Sequence, residues 1–180
     1  MRLRSVLVAA VLSIGLLHPA RAAPVLGQGE LAGWTEERAY RGSNDISQRT
    51  FYCRAEGCPR DGKIMILVGK GAPFGEYASY DEYLRKVKPT NAELAAEMKR
   101  SFALSARGAG GASSVKVTRK GNVVTFDSTG SAIMPTGPKG YFHTVSRYSG
   151  AQFESVTAFT RDASKLALLS RTAMLLRGLD

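Results

Sequence analysis

Two cysteines, Cys53 and Cys58, are the residues of this chain whose type and spacing most directly suggest chemistry. Two nearby thiols can form a disulfide, act as a redox pair or supply two ligands to a metal ion. Structural zinc needs about four ligands, mostly Cys or His, and thiol oxidoreductases use a C-x-x-C spacing. The stretch here is CRAEGC, with a wider spacing, so it favours a structural disulfide. A redox-active pair and a metal site are the alternatives.

The N-terminus indicates the compartment in which these thiols lie. Two arginines precede an apolar run, and the sequence ARA at residues 20–22 fits the small-x-small site of signal-peptide cleavage. We predict a signal peptide at residues 1–22 and a single exported domain at residues 23–180, in the periplasm or secreted. The run is shorter than the ~20 residues that span a bilayer, so we expect no membrane span after cleavage. An uncleaved N-terminal anchor is the alternative. Exported thiols pair by default, which supports a disulfide between Cys53 and Cys58.

His143 is the one histidine that remains once residues 1–22 are removed. Any Ser-His-Asp arrangement must therefore use it. The chain has no G-x-S-x-G sequence to supply a nucleophile, and a lone histidine on a predicted strand is more often a packed or surface residue. We assign no catalytic residue, no metal site and no cofactor. A small hydrolase or transferase that uses His143 is the alternative function.

A glycine-rich stretch, GKGAPFG at residues 69–75, lies between a predicted strand and a predicted helix. Its spacing matches neither a dinucleotide fingerprint nor a P-loop, so it predicts a flexible loop rather than a phosphate site. Three tyrosines follow it, and a tyrosine offers an apolar ring with a polar tip. We place the candidate ligand-binding residues here and at the lone histidine: Lys70, Tyr77, Tyr80, Tyr83 and His143.

The charge of the chain favours anionic partners. There are 25 basic and 15 acidic residues, and the predicted signal peptide removes three arginines and no acid, which leaves a surplus of seven basic residues. The basic residues are scattered, and no basic stretch is interleaved with aromatic residues that could stack on bases. We therefore predict no nucleic-acid binding. A basic secreted factor that binds anionic envelope polymers or host surfaces is a second alternative function.

The elements that must position these residues follow from local patterns. Residues 31–40, 48–53 and 64–68 read as strands, and the continuous apolar run IMILV at residues 64–68 predicts a central strand covered on both faces. Two capping-box sequences, SYDE at residue 79 and TNAE at residue 90, predict two helices.

A stretch rich in glycine, alanine and serine, ARGAGGASS, then predicts a flexible connector. After it, residues 114–119, 122–128, 141–148 and 152–160 read as four strands with short turns, which imply antiparallel neighbours. Residues 162–176 complete the chain as an amphipathic helix. The fold class is therefore α+β: a single domain with a largely antiparallel β-sheet and helices packed on both faces.

This order of elements, over residues 30–178, resembles the PsbP-like fold of small α/β/α domains found in photosystem accessory subunits and exported bacterial proteins. The resemblance implies an accessory or binding role rather than catalysis. The leading prediction is an exported, non-enzymatic domain that binds a protein partner or a small ligand in the cell envelope.

Overall fold

The computed structural model of the protein describes residues 25–41, 46–56, 58–59, 61–70, 77–105, 110–133 and 139–178. The predicted signal peptide lies outside the described residues, as does most of the GKGAPFG stretch. Among the described residues, no helix has the length and apolar character needed to cross a membrane.

The described strands form one seven-stranded sheet in which every neighbouring pair is antiparallel. The strands are β1 (Trp34–Arg41), β2 (Ser47–Cys53), β3 (Lys63–Lys70), β4 (Gly110–Lys120), β5 (Val123–Ile133), β6 (Lys139–Ser149) and β7 (Gln152–Thr160). Their order across the sheet is β1-β2-β3-β7-β6-β5-β4. The helices are α1 (Tyr80–Val87), α2 (Asn91–Ser105) and α3 (Leu166–Arg177), with short 3-10 turns at Gly29–Leu31 and Ala163–Lys165. The α+β fold class is confirmed.

The two predicted capping boxes set the starts of α1 and α2. The Ser79 hydroxyl accepts a hydrogen bond from the Glu82 N–H at 3.1 Å, and the Glu82 carboxylate accepts one from the Ala78 N–H at 2.8 Å. At α2 the exchange is reciprocal, because Thr90 accepts from the Glu93 N–H at 3.2 Å and Glu93 accepts from the Thr90 N–H at 2.7 Å. These bonds satisfy N–H groups that a helix start leaves without intrahelical partners.

The helices cover opposite halves of the sheet from opposite faces. Helix α3 closes one core over β1, β2, β3 and β7, whose buried residues include Phe51, Ile64, Ile66, Val156, Ala158, Leu169, Ala173 and Leu176. Helices α1 and α2 close a second core over β4, β5 and β6, whose buried residues are Tyr80, Leu94, Val124 and Phe126.

The strand register shows that these cores lie on different faces. Val156 is opposite Val145, and Val145 is opposite Asp127, so these three residues point to the side of α3. Phe126 is next to Asp127 in the chain and therefore points to the side of α1 and α2. The prediction of helices on both faces is confirmed, and each face keeps a half that no described helix covers.

Two local predictions need correction. Described helices cover β3 from one face only: Ile64 and Ile66 are buried under α3, whereas Met65 and Leu67 on the other face are half-buried. The glycine-rich connector is also shorter than predicted, because β4 begins at Gly110. Here small residues let β4 and β5 approach closely, since a Cβ at Gly130 would lie 2.2 Å from the Gly111 carbonyl oxygen.

Candidate functional site

The candidate ligand-binding residues do not form one site. Tyr80 lies on the face of α1 and α2, where Tyr77 and Tyr83 contact each other's rings beside it. His143 is opposite Ala158, and Lys70 shares the alternation of Ile66, so both point to the face of α3. On that face the register separates Lys70 from His143 by about six residues along the strands, or ~20 Å.

The three tyrosines belong to an aromatic cluster between α1, α2 and the sheet. The Tyr80 ring centroid lies 4.5 Å from that of Tyr148 and 5.8 Å from that of Tyr83, and Tyr77 lies 5.5 Å from Tyr83. Beside these rings is a cavity of about 170 Å³, which we call the aromatic pocket. Its lining includes Tyr80, Glu97, Met98, Ser101, Phe126 and Tyr148.

The environment of the aromatic pocket disfavours added negative charge. Burial raises the pKa of the Tyr80 phenol, and the neighbouring Tyr148 and Glu97 raise it further. Burial also raises the pKa of Tyr148. The Tyr83 hydroxyl donates a hydrogen bond to the Glu97 carboxylate at 3.0 Å. The phenols of Tyr80 and Tyr148 are therefore neutral at physiological pH, and Tyr83 holds the Glu97 carboxylate in place.

His143 forms a pair with Asp127 on the opposite face. The imidazole Nε2 lies 2.8 Å from Asp127 Oδ1, and the side chains are 20% and 51% exposed. They are diagonal neighbours, since His143 is opposite Thr129 and Asp127 is opposite Val145. Within the described residues no serine or threonine hydroxyl is hydrogen-bonded to this imidazole. The pair thus supplies two members of a catalytic triad without the nucleophile.

In the described part of the chain, no three His, Cys, Asp or Glu residues are grouped so as to hold an ion.

The half of the sheet next to α3 carries a second cavity, which sequence reasoning missed. Four residues of β4, β5, β6 and β7 form one cross-strand row: Thr118, Thr125, Arg147 and Glu154. With α3 as a wall, this row forms the floor of a cavity of about 340 Å³. We call it the basic cleft, and its polar lining is Thr118, Lys120, Thr125, Arg147, Glu154 and Arg177.

The basic cleft has a net positive charge because its one carboxylate is already paired. The Arg177 Nε donates to Glu154 Oε1 at 2.6 Å, and Nη2 donates to Oε2 of the same carboxylate. Lys120 and Arg147 are exposed, and neither forms an ion pair with any described carboxylate. Two cations are therefore available to an anionic ligand. Alternation within β4 and within β6 predicts which residues of each strand point to the same side. Only the register between the strands shows that Lys120 and Arg147 share a face.

The disulfide joins the end of β2 to the loop that follows it. Cys53 and Cys58 are bonded, with Cα atoms 5.7 Å apart, and Cys53 is only 8% exposed. The loop lies on the turn before β1, where the Arg54 N–H donates to the Gly33 carbonyl at 2.9 Å. A Cβ at Gly33 would lie 2.3 Å from that of Ala55, so a glycine is needed here. The burial of Cys53 and the packing of the loop against the turn before β1 favour a structural role for the disulfide over a redox role.

No family model matches the chain, and no curated protein matches it. Its structure is similar to the solution structure of cyanobacterial PsbP from Synechocystis sp. PCC 6803, with a TM-score of 0.52. The match covers 81% of this chain and 80% of that chain, at 9% sequence identity. The chain therefore has the PsbP-like fold that the order of its elements predicts, and at this identity the similarity shows the fold alone.

Proposed function

We propose that this protein is an exported, non-catalytic binding domain that attaches to an anionic partner in the cell envelope through the basic cleft. The observation that carries the proposal is the convergence of Lys120 and Arg147 on a half of the sheet that no described helix covers. The sequence prediction of an accessory or binding role for a PsbP-like domain supports it, as does the surplus of basic residues.

The dimensions of the basic cleft suit a segment of a protein. From β7, beside α3, to the edge strand β4 there are three strand spacings, or about 14 Å. An α-helix with its side chains is about 10 Å wide, and an extended segment is narrower. The floor offers the hydroxyls of exposed Thr118 and half-buried Thr125 beside the cations, together with the apolar side chains of Val123, Val145 and Val156. An acidic helix or strand of a partner protein matches both the width and the charge.

Export rests on the predicted signal peptide at residues 1–22 and gains support from the disulfide, since disulfides persist in oxidising compartments. A partner in the periplasm or outside the cell follows from this proposal.

A charge-matched pair of variants tests the basic cleft. Lys120→Gln with Arg147→Gln removes two charges from the cleft, and Lys99→Gln with Arg100→Gln removes two exposed charges from α2. Fluorescence anisotropy with labelled poly-L-glutamate measures the affinity of each. We expect the cleft variant to bind about tenfold more weakly, equivalent to ~1.4 kcal/mol, and the control variant to bind nearly as the wild type does. Equal losses would show that net charge, and not the cleft, attracts the anion.

A second candidate function, a small hydrolase or transferase, is favoured by the 2.8 Å contact between His143 and Asp127. His143→Asn removes the general base that such an enzyme would need. We expect wild type and variant alike to hydrolyse p-nitrophenyl acetate no faster than buffer does. Turnover by the wild type that the variant lacks would favour the enzyme instead.

A further inference from the structure

The aromatic pocket combines three features that bear on ligand chemistry: aromatic rings, a carboxylate and an opening at an exposed residue. The Phe126 ring centroid lies 5.7 Å from that of Tyr148 and 6.2 Å from that of Tyr80, so three rings surround one side of the pocket. Ser101, on α2, is exposed and lines the same pocket, which therefore reaches the surface there.

The charge of the pocket selects against anions. Glu97 lines it, and the hydrogen bond from Tyr83 holds that carboxylate in place. Two basic side chains on this face are engaged by other groups: Arg119, whose charge opposes the rise in the Tyr80 pKa, donates to the Pro89 carbonyl, and Lys86 lies 2.8 Å from Glu82. Aromatic rings attract organic cations through their quadrupole, and a carboxylate adds a direct attraction.

The volume sets the size of the ligand. A water molecule takes a share of about 30 Å³ in the liquid, so the ~170 Å³ pocket suits a group of five or six heavy atoms. A quaternary ammonium head group has this size, and so does a small protonated amine. Hydrated inorganic cations gain less from aromatic walls, because their hydration shells are lost more reluctantly.

We infer that the aromatic pocket binds a small organic cation, with Glu97 as its counter-charge and Tyr80, Phe126 and Tyr148 as its aromatic walls. The site is independent of the proposed function. It lies on the other face of the sheet from the basic cleft and takes a ligand of opposite charge, so either site can fail its test alone.

The test compares two probes of equal size and different charge by NMR titration of the full mature chain. Tetramethylammonium and tert-butanol each have five heavy atoms, and only the first is charged. We expect tetramethylammonium to shift the ring signals of Tyr80, Phe126 and Tyr148, with an affinity about tenfold above that of tert-butanol. Equal affinities would mean that the pocket is an apolar packing gap, and no shift of these rings with either probe would overturn the proposal outright.

Two variants locate the effect. Glu97→Gln keeps an acceptor for Tyr83 but removes the charge, so we expect the preference for the cation to disappear, whereas Glu56→Gln in the exposed disulfide loop leaves it unchanged. Ser101→Trp blocks the opening from an exposed position that tolerates size, and it abolishes the shifts from both probes. Retention of wild-type affinity in Glu97→Gln would contradict the proposal even if another variant failed to fold.

Discussion

Arg147 lies directly opposite Glu154 across β6 and β7, yet it is Arg177 from α3 that holds the Glu154 carboxylate with two hydrogen bonds. This choice of partner leaves Arg147 exposed in the basic cleft and fixes the end of α3 to the sheet. The net charge of the cleft is therefore positive, because its one carboxylate is paired and two of its cations are not.

Glu154→Gln tests this arrangement by removing the carboxylate. The cleft then gains one positive charge, and we expect poly-L-glutamate to bind several-fold more tightly. The Arg177–Glu154 pair is 33% and 25% exposed, so its loss costs ~1 kcal/mol of unfolding free energy or less, measured by urea denaturation. Weaker binding would show that Glu154 organises the cleft rather than opposing the anion.

At the scale of elements, α2 depends on its capping box. The N–H and hydroxyl of Thr90 donate to Glu93, and these bonds hold the pKa of the Glu93 carboxyl below its usual range. A carboxyl with a lowered pKa stabilises the fold above its unfolded-state pKa of ~4.3, and the contribution is lost as the pH falls through the folded-state value.

Thr90→Ala removes the capping hydroxyl and should lower the unfolding free energy by about 1 kcal/mol at neutral pH. The loss should be smaller near pH 3, because a larger fraction of Glu93 is protonated there and the hydroxyl then bonds a weaker acceptor. Urea denaturation at the two pH values measures this difference. Ser101→Ala, on the same helix but away from the cap, serves as the control and should show no such pH dependence. A loss of stability that is the same at both pH values would contradict the role given to Glu93.

The disulfide is a second element-scale device, and it is separate from both cavities. Replacing Cys53 and Cys58 together by serine should lower the unfolding free energy by about 2 kcal/mol, the loop-closure value for so short a ring. Poly-L-glutamate affinity should not change, because the loop lies beside β1 and β2, away from the cleft. Unchanged stability, or altered binding, would contradict a purely structural disulfide.

What the sequence predicts well is local. The capping boxes at Ser79 and Thr90 and the order of strands and helices depend on neighbours a few residues apart, and the structure contains them. The continuous apolar run in β3 led to the wrong prediction that both faces of this strand are covered by helices, because hydrophobicity alone does not indicate which face a helix covers. The start of β4 was not predicted, because a glycine-rich sequence is typical of a flexible loop. Here the small residues are needed because β4 approaches Gly130 of β5 closely.

The candidate site was harder, because it depends on register. Tyr77, Tyr80 and Tyr83 lie within seven residues, and their proximity could be predicted from one segment. Lys120, Arg147 and Arg177 come from β4, β6 and α3, and the sequence does not give the register that places their side chains on one face. The basic residues therefore looked scattered in the sequence, although three of them line one cleft.

The proposed role of the molecule combines export, the PsbP-like fold and a positively charged half of the sheet. Export makes its own prediction: protein recovered from the periplasm or medium should begin at Ala23 and contain no free thiol. Intact mass before and after alkylation measures both properties. An intact N-terminus would favour the anchored alternative and would change where a partner must be sought.

The most direct test of anion binding in the basic cleft is to map bound poly-L-glutamate on the full mature chain by backbone amide chemical shifts. We expect the perturbed amides to cluster on β4, β5 and β6 and at the end of α3, around Lys120, Arg147 and Arg177. Amides of α1 and α2, including those near Lys99 and Arg100, should not move. Perturbations centred on α1 and α2, or spread evenly over every basic residue, would contradict the assignment of the basic cleft as the binding surface.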